Sequence, residues 1–152
     1  MNIRIRPARP EEAEFLTELS MRSKQSNGYD DAFMAACREE LTVTRQNMQV
    51  SEYWVAEAET ICGLACLSPD KTGNSAEVES FFIDPAYKRK GIGRLLWRKL
   101  VERAKALGIG HLRLDADPSA VGFYENLGFR TVRKVPSGSI AGRTIPHMTM
   151  ML

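Results

Sequence analysis

At 152 residues, 43% hydrophobic and 26% charged, the chain has the length and balance of one globular domain with a proper core. A net charge of +2 excludes a polyelectrolyte that binds its partner by bulk charge, and no apolar run approaches the roughly 18 residues of a membrane span. The alternating start, Met1-Asn2-Ile3-Arg4-Ile5-Arg6, lacks the apolar core of a signal peptide, so a cytoplasmic location is expected.

Taken in chain order, Ile3-Arg4-Ile5-Arg6 alternates as a first strand. Arg9-Pro10-Glu11-Glu12 opens a helix with proline early and acids in its first turn, and Phe15, Leu16, Leu19 and Met21 give it an apolar side. It ends near Ser26-Asn27-Gly28, and a second helix runs from about Asp30 with Phe33, Met34, Cys37 and Leu41. Residues 53–56 and 61–67 read as a hairpin joined around Glu59-Thr60, and 70–74 as a loop. Residues 76–83 form a fourth strand stopped by Asp84-Pro85. From Gly91 to Leu107, Ile92, Leu95, Leu96, Leu100, Ala104 and Leu107 share one side of a helix that Gly108-Ile109-Gly110 closes. Residues 111–114 are a strand, 118–127 a short helix closed by Gly128, and 129–132 and 145–151 two last strands around a Ser/Gly-rich loop. The order β-α-α-β-β-β-α-β-α-β-β, with no repeat or linker, predicts an α/β (α+β) fold: a single domain over residues 1–152 built on one mixed sheet.

Cys37, Cys62 and Cys66 are odd in number and match no zinc spacing, so they read as buried small hydrophobes. Cys62 and Cys66, four apart in an apolar strand, are expected on one face. Trp54 and Trp97 are most simply core or interface.

The most informative segment is Tyr87-Lys88-Arg89-Lys90-Gly91-Ile92-Gly93-Arg94, which leads from a strand into a helix. Glycines two apart allow a tight turn, and the new helix offers free N–H groups and the positive end of its dipole to the turn. A phosphate or pyrophosphate is the natural occupant, bracketed by Lys88, Arg89, Lys90 and Arg94. A P-loop would continue Gly-Lys-Ser/Thr where this turn has Gly93-Arg94-Leu95, and a Rossmann turn would need glycine where Leu96 stands.

The segment from Phe81 to Gly93 and the segment Asp117-Pro118-Ser119-Ala120-Val121-Gly122-Phe123-Tyr124-Glu125-Asn126-Leu127-Gly128-Phe129 together resemble the GNAT superfamily of N-acetyltransferases. The first is similar to that family's Arg/Gln-x-x-Gly-x-Gly/Ala signature, the second to its recurring Phe-Tyr-Glu-x-Leu-Gly-Phe stretch. The element order also matches over nearly the whole length. Lys88 stands where the family has Arg or Gln, and Asp117 where it often has a cofactor-contacting Asn. An ionised acid cannot donate the amide's hydrogen bond.

The resemblance implies that strands four and five splay apart around acetyl-CoA. It implies cofactor contacts by Phe81, Phe82 and Ile83 along the pantetheine arm, by Lys88, Arg89, Lys90, Gly91, Ile92, Gly93 and Arg94 at the pyrophosphate, and by Asp117, Ser119 and Tyr124. Backbone donors and side-chain cations then meet the phosphate charge, so no metal is expected. Tyr124 is implied as the acid that protonates the leaving thiolate, since a phenol holds its proton above the range of a thiol.

Glu77 and Glu79 are the candidate bases. Two apart in strand four, they are expected on one face with Phe81 and Ile83, where acids are costly unless used, and each raises the other's pKa. The acceptor side is expected in the 26–31 and 136–143 loops: Tyr29, Asp30 and Asp31 for a cationic amine, and Arg143 for a carboxylate, a phosphate or the cofactor. His147 reads as a satisfied core or edge histidine. The reading is thus an acetyl-CoA-dependent N-acetyltransferase for a small-molecule amine, in a family where a homodimer is common. A non-catalytic acyl-CoA binder would need neither Tyr124 nor an acid. A nucleic-acid module is disfavoured by the low net charge and the lack of interleaved aromatics.

Overall fold

Every expected element forms, and one more. The computed structural model describes residues 2–71 and 73–152; Met1 at the start of the chain and Thr72 of the expected 70–74 loop lie outside the described residues. The strands are β1 (Arg4–Pro7), β2 (Glu52–Glu57), β3 (Ile61–Pro69), β4 (Ser75–Ile83), β5 (His111–Asp115), β6 (Arg130–Pro136) and β7 (Thr144–Met151). The helices are α1 (Ala13–Gln25), α2 (Asp31–Leu41), α3 (Arg45–Val50), α4 (Ile92–Ala106) and α5 (Val121–Leu127). The unexpected one is α3. Six residues are too few to show a helical period, and its start is set by Thr44 and Asn47, which cap each other's backbone N–H groups. β6 begins one residue later than the apolar pattern suggests and runs on to Pro136. Phe129 leaves the strand and packs edge-on against Trp97 at 5.5 Å.

The seven strands form one mixed sheet in the order β1-β2-β3-β4-β5-β7-β6. Only β4 and β5 run parallel, joined through α4. One face is covered by α4 and α5, with Leu96, Trp97, Leu100 and Tyr124 meeting Leu67, Val78, Leu112, Leu114 and Met148. The other is covered by α1, whose Leu16 and Leu19 meet Val55, Leu64 and Cys66. Each such fully buried aliphatic side chain contributes roughly 1.5–3 kcal/mol. Phe15, expected on the apolar side of α1, is 42% exposed. Among the described residues no helix is long and apolar enough to cross a membrane.

Two β-bulges overturn two expectations about faces. The register of β3 on β4 shifts between Cys66 and Leu67: Leu67 opposes Val78 and Cys66 opposes Ser80, leaving Glu79 unpaired as the extra residue. Parity along β4 therefore reverses at Glu79. Val78, Phe81 and Ile83 face α4, and Phe82 faces the α1 side. Glu77, between Ala76 and Val78 of the α4 face, lies on the opposite face from Phe81 and Ile83, not on theirs. The second shift, between Ala56 and Glu57 on β2, makes Cys62 the extra residue on β3. Cys62 then joins the α4 core and Cys66 the α1 core, so the two thiols do not share a face. All three cysteines are buried and free, as expected.

The start of α4 is seated on β3 at Gly63. A Cβ there would lie 3.0 Å from Ile83 Cδ1, 3.1 Å from Leu96 Cδ1 and 3.2 Å from Ile92 Cγ2. Gly63→Val is expected to destabilise the fold by about 1–3 kcal/mol, since overpacking forces neighbours off their rotamers. Thermal unfolding checks this: a melting temperature equal to that of the wild type would show that the seat is slack.

Candidate active site

β4 and β5 pair only at Ser75–His111, Ala76–Leu112 and Glu77–Arg113. Beyond Glu77 the strands part, so one edge of β4 from Val78 to Ile83 has no sheet partner. The gap opens into a cavity of ≈ 800 Å³. Val78, Glu79, Phe81, Phe82 and Ile83 line it from β4, Leu114 and Asp115 from β5, and Ser119, Ala120, Phe123 and Tyr124 from the segment that follows.

The turn into α4 forms one end of this cavity. Asp84 caps the 3-10 turn Pro85–Tyr87 by accepting from the N–H of Ala86 at 3.0 Å, and Arg22 of α1 pairs with the same carboxylate at 2.9 Å. Lys88 is extended, Arg89 has φ +62° and Gly91 has φ +78°. Left-handed residues alternating with ordinary ones fold the backbone into a concave nest of N–H groups. Arg89 does this against the steric preference of a side-chain-bearing residue, at a cost of order 1–2 kcal/mol. A Cβ on Gly91 would meet nothing within 4 Å, so the space over the turn is open to a ligand. The free N–H groups of the first turn of α4 point the same way. Lys88, Arg89, Gly91, Ile92, Gly93 and Arg94 all line the cavity; Lys90 does not. A diphosphate fits this cradle, and an extended amide-bearing arm fits the unpaired edge of β4 as an added strand would.

Tyr124 is buried at the wall, with ring centroids 5.4 Å from Phe123, 5.7 Å from Phe129 and 6.2 Å from Phe81. Burial, aided by the Asp117 carboxylate, pushes its phenol well above the usual range, so the hydroxyl keeps its proton. Glu79 is exposed and lines the cavity. Glu77 does not line it: its carboxylate lies 3.8 Å from Arg113, and burial first, then Glu79, raise its pKa.

Asp117 occupies the position where a donating amide was the alternative, and here it is an acceptor hub. Its Oδ1 takes the Ser119 N–H at 2.9 Å and hydroxyl at 2.6 Å; its Oδ2 takes Tyr29 Oη at 2.8 Å and Lys24 Nζ at 3.1 Å. Burial is the largest single influence and pushes the carboxyl up, but the Ser119, Tyr29 and Lys24 donors together hold it at about 2. Arg143 Nη2 donates to the same Tyr29 hydroxyl at 2.8 Å. The loop between α1 and α2 and the β6–β7 connection are thereby tied to the end of β5. Tyr29 itself is not a wall residue. Asp30 and Asp31, expected to receive an amine, serve α2 instead: Asp30 caps it through the Phe33 N–H at 2.8 Å, and Asp31 accepts from Gln25 at 2.8 Å. His147 is satisfied by Asp115, with Nδ1 to Oδ1 at 2.6 Å.

Sequence reasoning missed Lys24, Glu40 and Asp115, which all line the cavity. Asp115 ends a parallel strand of the sheet, the place where open sheets bind ligands, and that position could have marked it. Lys24 and Glu40 are ordinary helix residues that only packing brings to the wall.

Because the Asp117 carboxyl is held below its unfolded value near 4, its stabilisation is present above that pH and disappears as the pH falls from about 4 to about 2. The wild type is expected to lose about 2 kcal/mol across that window relative to Asp117→Asn, measured by denaturant unfolding at stepped pH. Parallel pH profiles for the two proteins would refute the hub.

The GNAT acetyltransferase domain model matches residues 18–152. Among curated proteins, the chain is 36% identical over 73 residues to the histone acetyltransferase TAP1 of Glycine max, covering 48% of this chain and 31% of that protein. It is 32% identical over 65 residues to the thialysine N-epsilon-acetyltransferase of Caenorhabditis elegans, covering 41% of each. The chain thus spans less than half the length of these relatives. The PaiA N-acetyltransferase of Thermoplasma acidophilum, solved with coenzyme A, superposes with a TM-score of 0.81 at 22% identity over 100% of both chains. The ribosomal-protein-S18-alanine N-acetyltransferase of Escherichia coli does so at 0.72 and 16% identity, over 99% of this chain and 94% of that one. With the family model matching nearly nine-tenths of its length, the chain belongs to the GNAT acetyltransferase family.

Proposed function

We propose that the protein transfers the acetyl group of acetyl-CoA to an amine of a small molecule, by direct attack inside the cavity between β4 and β5. The observation that carries this reading is the junction of two features in one cavity: the unpaired edge of β4 and the N–H nest with Lys88, Arg89 and Arg94 at its end. When bound, acetyl-CoA supplies a thioester whose acetyl carbon can pass to an acceptor nitrogen with release of the free thiol.

The nest and the cations hold the diphosphate, and the edge of β4 from Phe81 to Ile83 aligns the arm. Phe81, Phe123 and Leu114 make the walls apolar, which strengthens every polar contact made there. Glu79 takes the proton that the acceptor nitrogen sheds, directly or through one water. Its place supports this role: Glu79 is exposed, lines the cavity and lies two residues past the last β4–β5 pair. Tyr124 gives its phenolic proton to the leaving sulfur, and Asp117 and Ser119 close the turn beside it. Glu77, behind the wall and raised in pKa, acts on Glu79 by charge. The tie between the α1–α2 loop and the β6–β7 connection favours a small acceptor over a protein tail. The thialysine and L-ornithine N-acetyltransferases among the relatives are named for small amines.

Thiol release from acetyl-CoA across an amine panel, together with calorimetric titration of coenzyme A, tests the reading. Glu79→Gln and Tyr124→Phe are each expected to lower turnover about 10²–10⁴-fold while leaving coenzyme A affinity intact. Turnover equal to the wild type in both would remove these roles. Gly91→Val, which places a β-branched residue at positive φ, is expected to weaken coenzyme A binding at least tenfold. Unchanged affinity would mean that the nest is not the diphosphate site.

A further inference from the structure

Arg143 is a constrained cation of the cavity wall. Its guanidinium carbon lies 5.3 Å from the ring centroid of Tyr29 and 5.0 Å from that of Phe33, and those two rings stack at 4.0 Å with planes 9° apart. Nη2 donates to Tyr29 Oη at 2.8 Å and stands 3.8 Å from Asp117 Oδ2. Nε and Nη1 donate to no described residue, and the side chain lines the cavity with 21% of its surface exposed. Nη2 keeps a second N–H, which with Nε–H or an N–H of Nη1 on its side forms a preorganised fork, the geometry that takes a carboxylate or phosphate in two parallel hydrogen bonds.

Charge at the hub points the same way. Lys24 and Arg143 face the single carboxylate of Asp117, whose oxygens are already shared among Ser119, Tyr29 and Lys24. At the hub itself two cations meet one carboxylate. Glu40, the other acid on this side, is exposed and accepts from the Ser139 hydroxyl at 2.5 Å; among the described residues it forms no ion pair with Lys24 or Arg143. The carboxylates of Glu79 and Asp115 line another part of the same cavity and suit an ammonium group. Arg143 comes from the β6–β7 connection and is held to the α1–α2 loop, whereas the diphosphate nest is built at the start of α4.

From this arrangement we propose that Arg143 receives an anionic group, a carboxylate or a phosphate, carried by the acceptor amine. The assignment rests on the transferase reading above and narrows its substrate to amines that bear a negative charge. Arg143 then sets specificity and takes no part in the proton transfers.

The test uses the full chain, acetyl-CoA and two acceptor pairs, each differing by an anion alone: L-lysine against 1,5-diaminopentane, and glucosamine 6-phosphate against glucosamine. Thiol release gives kcat/KM, and calorimetry with coenzyme A reports on the cofactor separately. At least one anionic member is expected to be preferred about tenfold or more, the usual scale of a charge-assisted pair. The pair that shows the preference distinguishes carboxylate from phosphate. In Arg143→Gln that preference is expected to fall within about twofold with coenzyme A affinity unchanged, and Arg143→Lys, keeping the charge without the fork, is expected to restore part of it. The comparison within the wild type stands even where a variant fails to fold. Equal use of both members of each pair overturns the proposal, as does a preference that survives in Arg143→Gln. Weakened coenzyme A binding in Arg143→Gln also overturns it, because the fork would then serve the cofactor. Neither turnover nor calorimetric binding of any of the four probes overturns it as well. Failure of the wild type to bind coenzyme A is a separate result that removes the transferase reading itself.

Discussion

Three residue pairs, Ser75–His111 through Glu77–Arg113, hold β4 to β5, and the functional architecture depends on that pairing stopping where it does. A parallel ladder continued to Ile83 would satisfy the edge of β4 and leave no cleft. Two features act against continuation. The bulge at Glu79 bends β4 and increases its local twist just after the last pair. β5 ends at Asp115, where Asp117 and Pro118 turn the chain into a 3-10 turn, so there is no strand for the far half of β4 to meet. An unpaired edge inside a fold is ordinarily a liability, because its N–H and C=O groups need partners. Here the open edge of β4 faces the cavity.

The same bulge gives the strand two functions. Upstream, Ala76 and Val78 serve the core under α4; downstream, Phe81 and Ile83 serve it with the opposite parity. The charge of Glu79 bears on Glu77 and on Tyr53 and Cys66 of the α1-side core, so the two acids remain neighbours across the bulge. The two carboxylates differ in setting: Glu77 is half-buried beside Arg113 and does not line the cavity, while Glu79 is exposed and lines it.

Asp117 illustrates how a change of one functional group is absorbed. A carboxylate at that position cannot donate, and the surrounding chain supplies donors instead: the Ser119 N–H and hydroxyl, the Tyr29 hydroxyl and the Lys24 ammonium. The result ties together segments from residues 24–33, 117–119 and 143 that are distant in sequence. Arg143 is held against Tyr29 and Phe33 by the same set of contacts, so this side of the cavity and the end of β5 are one mechanical unit.

Much of this was legible in the residues alone, wherever the signal was local. The apolar side of α4, the Asp84-Pro85 stop, the glycine turn and the Phe123-Tyr124 segment each specify their own conformation within one or two turns of chain and formed where the pattern placed them, except that Leu107, expected on the apolar side of α4, lies past its end and is 46% exposed. The short α3 escaped because its evidence is a cap and not a period. What the sequence could not carry was which groups meet. Strand alternation predicted Glu77 with Phe81, and Cys62 with Cys66, on common faces, but a bulge is set by the partner strand and reverses parity without altering composition. Lys24, Glu40 and Asp115 reach the cavity through helix and strand packing over separations that leave no local mark. The sequence by itself determined every element but α3, their order and the glycine turn, because short-range sterics and hydrogen bonding decide those. The splay, the bulge at Glu79 and the hub at Asp117 were decided only by tertiary structure, because register, burial and charge pairing are properties of residues brought together from far along the chain.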